Sequence, residues 1–165
     1  MAEEKLYELY SAYDPVAVEW LWYPYIPYSK ITIIQGDPGE GKTSLVLRLA
    51  AALSKGESLI TQQECSQPIN VIYQSAEDGI TDTVVPRLIE AGADRSRIAF
   101  INEEGTPISM LDPRIEEAIN KHDAKLSVLD PLQAFLGAVA AANGSSFVFE
   151  KLCGLIFSQS CRQRA

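Results

Sequence analysis

Residues 36–43 read GDPGEGKT, and no other stretch restricts the possible folds of this chain as strongly. The residues before it, Ile31-Thr32-Ile33-Ile34, form an apolar β-branched run suited to a buried strand. Those after it, Ser44-Leu45-Val46-Leu47-Arg48-Leu49-Ala50-Ala51, have helical periodicity that runs to about Lys55 and stops at Gly56. The octet fits the pattern G-x-x-x-x-G-K-[ST]. Glycines in such a loop let backbone N–H groups turn inward around phosphate oxygens, and the helix N-terminus adds a partial positive charge. The lysine reaches the β- and γ-phosphates and the threonine hydroxyl sits on Mg²⁺. Gly36, Asp37, Pro38, Gly39, Glu40, Gly41, Lys42, Thr43 and Ser44 are therefore the expected nucleotide-binding residues, with Thr43 also a Mg²⁺ ligand. Asp37 and Glu40 are acidic beside a phosphate site, which fits if their side chains point outward and only their backbone faces the ligand. The bland alternative is a glycine-rich turn without a ligand, which the flanking strand and helix disfavour.

Further along, strand-like and helix-like segments alternate. Asn70-Val71-Ile72-Tyr73-Gln74 reads as a second strand, Thr81 to Ala91 as a helix stopped by Gly92, and Arg97 to Ile101 as a third strand. Asp112-Pro113 reads as an N-cap followed by proline at the first helical position, opening the helix RIEEAINKH. Leu126-Ser127-Val128-Leu129 is a fourth strand, ending at Asp130-Pro131. This alternation implies an α/β fold with a parallel sheet covered on both faces. Four mostly apolar residues ending in an aspartate match a Walker B strand, so Asp130 is the second expected Mg²⁺ group. Pro131 fills the place where many such enzymes carry a glutamate, so the water-orienting group must come from elsewhere. The second strand ends in YQSAED, on the same rim of a parallel sheet as the loop and Asp130. Glu77 is the expected catalytic residue and Asp78 the expected helix cap.

These three motifs together resemble a RecA-type ATPase core. The wording WLWYPYIPYSKITIIQGDPGEGKT, VIYQSAEDGITDTVVPRL and LSVLDPLQAFLG resembles RepA-like replicative helicases and related ATPases of plasmids, phages and bacterial chromosomes. The resemblance covers roughly residues 18–137. It implies a three-layer αβα P-loop core that binds ATP and Mg²⁺ through Gly36, Gly39, Gly41, Lys42, Thr43 and Asp130, with Glu77 catalytic. It also implies a homo-oligomeric, commonly hexameric, ring with ATP at subunit interfaces, and hydrolysis that drives movement along single-stranded DNA. The alternatives are a nucleotide-binding module without motor activity and a RecA-type recombination or regulatory ATPase.

Composition narrows the classes. The net charge of −8 gives no general pull toward nucleic acid. Three scattered cysteines suggest neither a disulfide framework nor a zinc site, and one histidine makes a Ser-His-Asp site improbable. No apolar run approaches a membrane span, and the acidic start MAEEKLYELY does not resemble a secretory signal, so the expected setting is cytoplasmic. Asn120-Lys121-His122-Asp123 spells a guanine-specificity motif but lies at a charged helix end, where a solvated terminus is the better reading. Pro24 and Pro27 make the aromatic stretch at 20–30 an extended or hairpin entry. Its Trp20, Trp22, Tyr23, Tyr25 and Tyr28 are expected to pack rather than stack on bases. Arg87, Arg95, Arg97 and Arg114 are expected in surface pairs rather than as an arginine finger. Residues 1–17 read as an acidic leader, 18–137 as the front portion of the core and 138–165 as a divergent tail. In RecA-type cores a further strand, carrying a polar residue that senses the γ-phosphate, lies between the Walker B and P-loop strands. The tail offers one helix-like segment, Phe147 to about Phe157, so the expectation is a core incomplete at its C-terminus. The tail could bend to fill the gap, and Gly154-Leu155-Ile156-Phe157 is apolar enough to do so.

Overall fold

The structure, a computed structural model, describes residues 6–57 and 67–136 and the backbone of 152–158. A short antiparallel hairpin, β1 (Trp20–Trp22) and β2 (Ile26–Pro27), opens the fold. Leu21 and Ile26 point into the core and Trp22 and Tyr28 pack against it, while Tyr23 and Tyr25 stay exposed. The aromatic stretch is thus partly core and partly surface. Trp20 stacks edge-on against Tyr23, with centroids 5.2 Å apart.

The main sheet contains β3 (Ile31–Gln35), β4 (Asn70–Ser75), β5 (Ile98–Ala99), β6 (Ala124–Asp130) and β7 (Leu152–Ser158), in the order β3-β7-β6-β4-β5. Strand β4 pairs in parallel with β5 and β6. Strand β7 runs antiparallel to both neighbours, so β3 points the same way as β6. The sheet is therefore mixed rather than wholly parallel, and the helix expected to about Phe157 is a strand over 152–158. Residues 147–151 of that expectation lie outside the described residues. The physical reason is ladder satisfaction: β3 and β6 both need hydrogen-bond partners on their inner edges, and a strand between them supplies both sets.

Helices cover both faces. Helix α1 (Lys42–Lys55) buries Val46, Leu47, Leu49, Ala50 and Leu53, an apolar stripe at helical spacing. They meet Val71 and Tyr73 of β4, Leu126 and Val128 of β6, and Leu88 of α2 (Val85–Glu90). On the opposite face Ile115 and Ile119 of α3 (Pro113–His122) and Leu132 and Phe135 of α4 (Leu132–Phe135) pack on Ile72 and Leu129. Two clusters on opposite faces of one sheet make the three-layer α/β architecture.

Two elements are shorter than their sequence patterns. The segment expected to be helical from Thr81 starts as a wide π-type turn at Ile80–Val84 and becomes α-helical only at Val85. Pro86 lacks an N–H and its ring would collide with the carbonyl four residues earlier, so the wider turn takes the chain in. Strand β5 stops at Ala99 because the Ile101 N–H donates to the side-chain Oε1 of Gln74 at 2.9 Å instead of to a ladder partner.

Asp112 caps α3 as expected, accepting the Arg114 N–H at 2.9 Å, and also pairs with the Arg114 guanidinium at 2.7 Å. That guanidinium donates in turn to the carbonyls of Glu103 and Thr106. The Arg114 side chain, then its N–H, hold the Asp112 carboxyl below the usual carboxylate range. A depressed folded-state pKa gives stability that is present above the unfolded value and lost as pH falls through the folded one. Asp112→Ala is therefore expected to lower the melting midpoint by about 2–4 °C at pH 7. The difference from wild type should shrink below about pH 4. Thermal melts across pH 3–7 check this.

Candidate functional site

Strands β3, β4 and β6 all end on one rim of the sheet, and the loop 36–41 crosses that rim into α1. Gly39 and Gly41 have φ of +84° and +82°, and a Cβ built on either would meet nothing within 4 Å. Glycine is required at both positions by backbone conformation rather than by crowding. Gly41 is the N-cap of α1, with no side chain on the helix end.

The loop's polar contacts are specific. The Lys42 ammonium donates to the Asp37 carbonyl. The Glu40 carboxylate accepts the Asp37 N–H at 2.7 Å, and its Oε2 lies where a Cβ on Gly36 would be 2.4 Å away. Glu40 is exposed, yet its carboxylate folds back onto the loop, so the outward arrangement that the sequence reading asked for is not met. Its carboxylate folds back because a loop of N–H donors at a helix N-terminus favours an anion. Asp37, Pro38, Gly39 and Ser44 are exposed, and Lys42 and Thr43 half-buried.

The decisive contact joins the two halves of the chain. Thr43, in the first turn of α1, donates its hydroxyl to Asp130 Oδ2 at 2.9 Å. Asp130 is only 4% exposed. It shares strand parity with Leu126 and Val128, which places it on the α1 face of β6. The same Oδ2 accepts the Tyr73 hydroxyl at 2.8 Å. Burial pushes Asp130 above the usual carboxylate range, against the opposing pull of the Tyr73 and Thr43 hydroxyls. The Tyr73 phenol is pushed far above its ordinary value, by burial first and the Asp130 charge next, so it stays a donor.

Glu77 is exposed on the bend after β4, on the same rim but outside the Thr43–Asp130–Tyr73 contact. Asp78 does not cap the next helical segment: its side chain pairs with Arg87 at 3.2 Å, and Gly79 holds the cap position without a side-chain bond. Arg97 and Arg114 are likewise paired, with Asp94 and Asp112. The NKHD sequence sits where α3 turns into the start of β6, on the opposite rim from Asp130. His122 bonds the Arg97 carbonyl there at 3.0 Å, so geometry separates this motif from the loop.

A family model described as an AAA domain matches residues 7–151. The chain belongs to this family. Neither the comparison with curated proteins nor that with solved structures found a match. The AAA domain places the chain among nucleotide-binding ATPases and agrees with the α/β core. The donor set also fits the metal such proteins use. Mg²⁺ takes one or two protein oxygens and completes its shell with waters and phosphate oxygens. A hydroxyl and a carboxylate converging at 2.9 Å are donors of that kind. Among the described residues, no three His, Cys, Asp or Glu side chains form a metal cage on their own.

Sequence reasoning missed Tyr73 altogether. Its only trace was parity, since Tyr73 and Val71 share the α1 face of β4. In the parallel register Tyr73 stands opposite Val128, two residues before Asp130.

Glu40 gives the site a testable asymmetry. Phosphate oxygens would compete with its carboxylate for the Asp37 N–H. Removing a like charge at an exposed site is worth up to about 1 kcal/mol, so Glu40→Ala is expected to tighten nucleotide binding by up to about fivefold. Titration with a fluorescent ATP analogue checks it.

Proposed function

We propose that this AAA domain binds ATP with Mg²⁺ through Gly36–Ser44 and Asp130 and hydrolyses it with Glu77 orienting the attacking water. The observation that carries the reading is the Thr43–Asp130 hydrogen bond, which ties the glycine loop to a buried carboxylate 87 positions away. In this mechanism the loop amides and the Lys42 ammonium hold the phosphates. Thr43 and Asp130 hold Mg²⁺, which when bound neutralises charge on the transferring phosphoryl group. Glu77 lies on a rim it shares with both and accepts a proton from water in line with the γ-phosphate.

The finer reading, supported by the family resemblance of the three motifs, is a replicative-helicase type ATPase. It works in the cytoplasm as a homo-oligomeric, hexameric ring on single-stranded DNA. No helix among the described residues is long and apolar enough to cross a membrane.

One observation favours the rival, a nucleotide-binding module without motor activity. Strand β7 runs antiparallel, so its carboxyl end at Ser158 pairs with Leu126, at the start of β6 and away from the phosphate rim. That end of β7 lies on the rim opposite the glycine loop. The test is ATP turnover and ATP binding, each with and without single-stranded DNA. DNA-stimulated turnover supports the motor; Mg²⁺-dependent binding without turnover supports the module. Absence of binding overturns both.

A further inference from the structure

We infer that Tyr73 is a positioning residue for the metal site: its hydroxyl fixes the Asp130 carboxylate in the orientation that receives Mg²⁺. The inference rests on the nucleotide-site reading above and adds to it a residue that no motif of the loop or of β6 contains.

The geometry is specific. Two hydroxyls from different elements, Thr43 on α1 and Tyr73 on β4, converge on the same oxygen of Asp130 at 2.9 and 2.8 Å. Tyr73 is 3% exposed and its ring lies in the cluster formed by α1, α2, β4 and β6. Packing on that scale fixes the ring, and a fixed ring fixes the hydroxyl. A carboxylate on the last residue of a strand can rotate about its terminal torsion, which has broad wells. Two donors at set positions remove that freedom. Thr43 alone is a poor guide, because its hydroxyl must also face the metal. Tyr73 reaches the carboxylate from the neighbouring strand rather than from α1, so its bond does not depend on the Thr43 hydroxyl. Partners that orient a metal-binding group change metal affinity by about tenfold or more when they are lost.

The test is a titration of Mg²⁺ against binding of a fluorescent ATP analogue, repeated in EDTA, for the full chain and Tyr73→Phe. The phenylalanine keeps the ring and removes only the hydroxyl. The half-saturating Mg²⁺ concentration is expected to rise about tenfold, with affinity in EDTA unchanged. Leu88→Ala is the control. It loosens the same cluster without touching the carboxylate, so it should lower the melting temperature and leave half-saturating Mg²⁺ where it was. If Tyr73→Phe leaves Mg²⁺ dependence unaltered in a chain whose wild type binds nucleotide, Tyr73 has no positioning role. If Leu88→Ala shifts it as far as Tyr73→Phe does, the effect belongs to core packing and the inference is overturned. A wild type that binds nucleotide in neither buffer overturns the site reading itself, a result distinct from the other two.

Discussion

Lys42→Ala is expected to weaken ATP binding by at least about a hundredfold while leaving the fold intact. The ammonium would contact two phosphate groups, and each charge-assisted hydrogen bond contributes about 1.5–3 kcal/mol. Two such bonds give roughly 3–6 kcal/mol, or about two to four decades in Kd. The fold should survive because Lys42 is half-buried at the first position of α1 and, among the described residues, its ammonium bonds to the loop at the Asp37 carbonyl. The α1 stripe that holds the core starts four residues later, at Val46. Calorimetric titration of ATP against the variant, beside a thermal melt, measures both quantities. A variant that binds ATP as tightly as wild type would place the phosphates elsewhere.

Glu77→Gln separates chemistry from binding. General-base contributions are typically about 10²–10⁴-fold, so ATP turnover should fall by that factor with Kd for ATP nearly unchanged. Glutamine keeps the size of the side chain and loses the basic oxygen. The Glu77 side chain is exposed, so stability should not move. The outcome also discriminates between the readings. If wild-type turnover is already negligible, the substitution has nothing to remove and the binding module stands. If turnover is measurable and Glu77→Gln leaves it intact, another group on the rim orients the water. Asp78 is then a poor candidate, since its carboxylate is paired with Arg87.

Much of the fold was legible because local chemistry and tertiary structure agree where packing is dense. The α1 stripe, the Asp112 cap and the apolar run before Asp130 each carry a period or a stop signal that only one element satisfies. What was not legible depends on partners distant in sequence. Nothing within Arg97–Ile101 reports that Gln74 will claim the Ile101 N–H and end β5 early. The apolar run Gly154–Phe157 marks a segment able to fill the gap, but nothing local reports that Leu152–Ser158 does so as an antiparallel strand between β3 and β6. Of the side chains in the Thr43–Asp130–Tyr73 contact, Thr43 and Asp130 belong to sequence patterns in which metal–phosphate chemistry would restrict residue types. Tyr73 does not, and a tyrosine on an apolar strand face usually means core. The Glu40 side chain was misplaced because like-charge repulsion with a ligand was considered, and attraction to the loop's own N–H donors was not.

The position of β7 has a consequence for the width of the phosphate rim. Strand β3 is an edge strand whose ladder partner in the main sheet is β7. The lateral gauge between the glycine loop and Asp130 is therefore two strand spacings, roughly 9.6 Å, and β7 is the shim that sets it. Helix α1, packed on β4 and β6, ties the same two parts together a second time, so any change in that spacing must also be taken up by the α1 contacts.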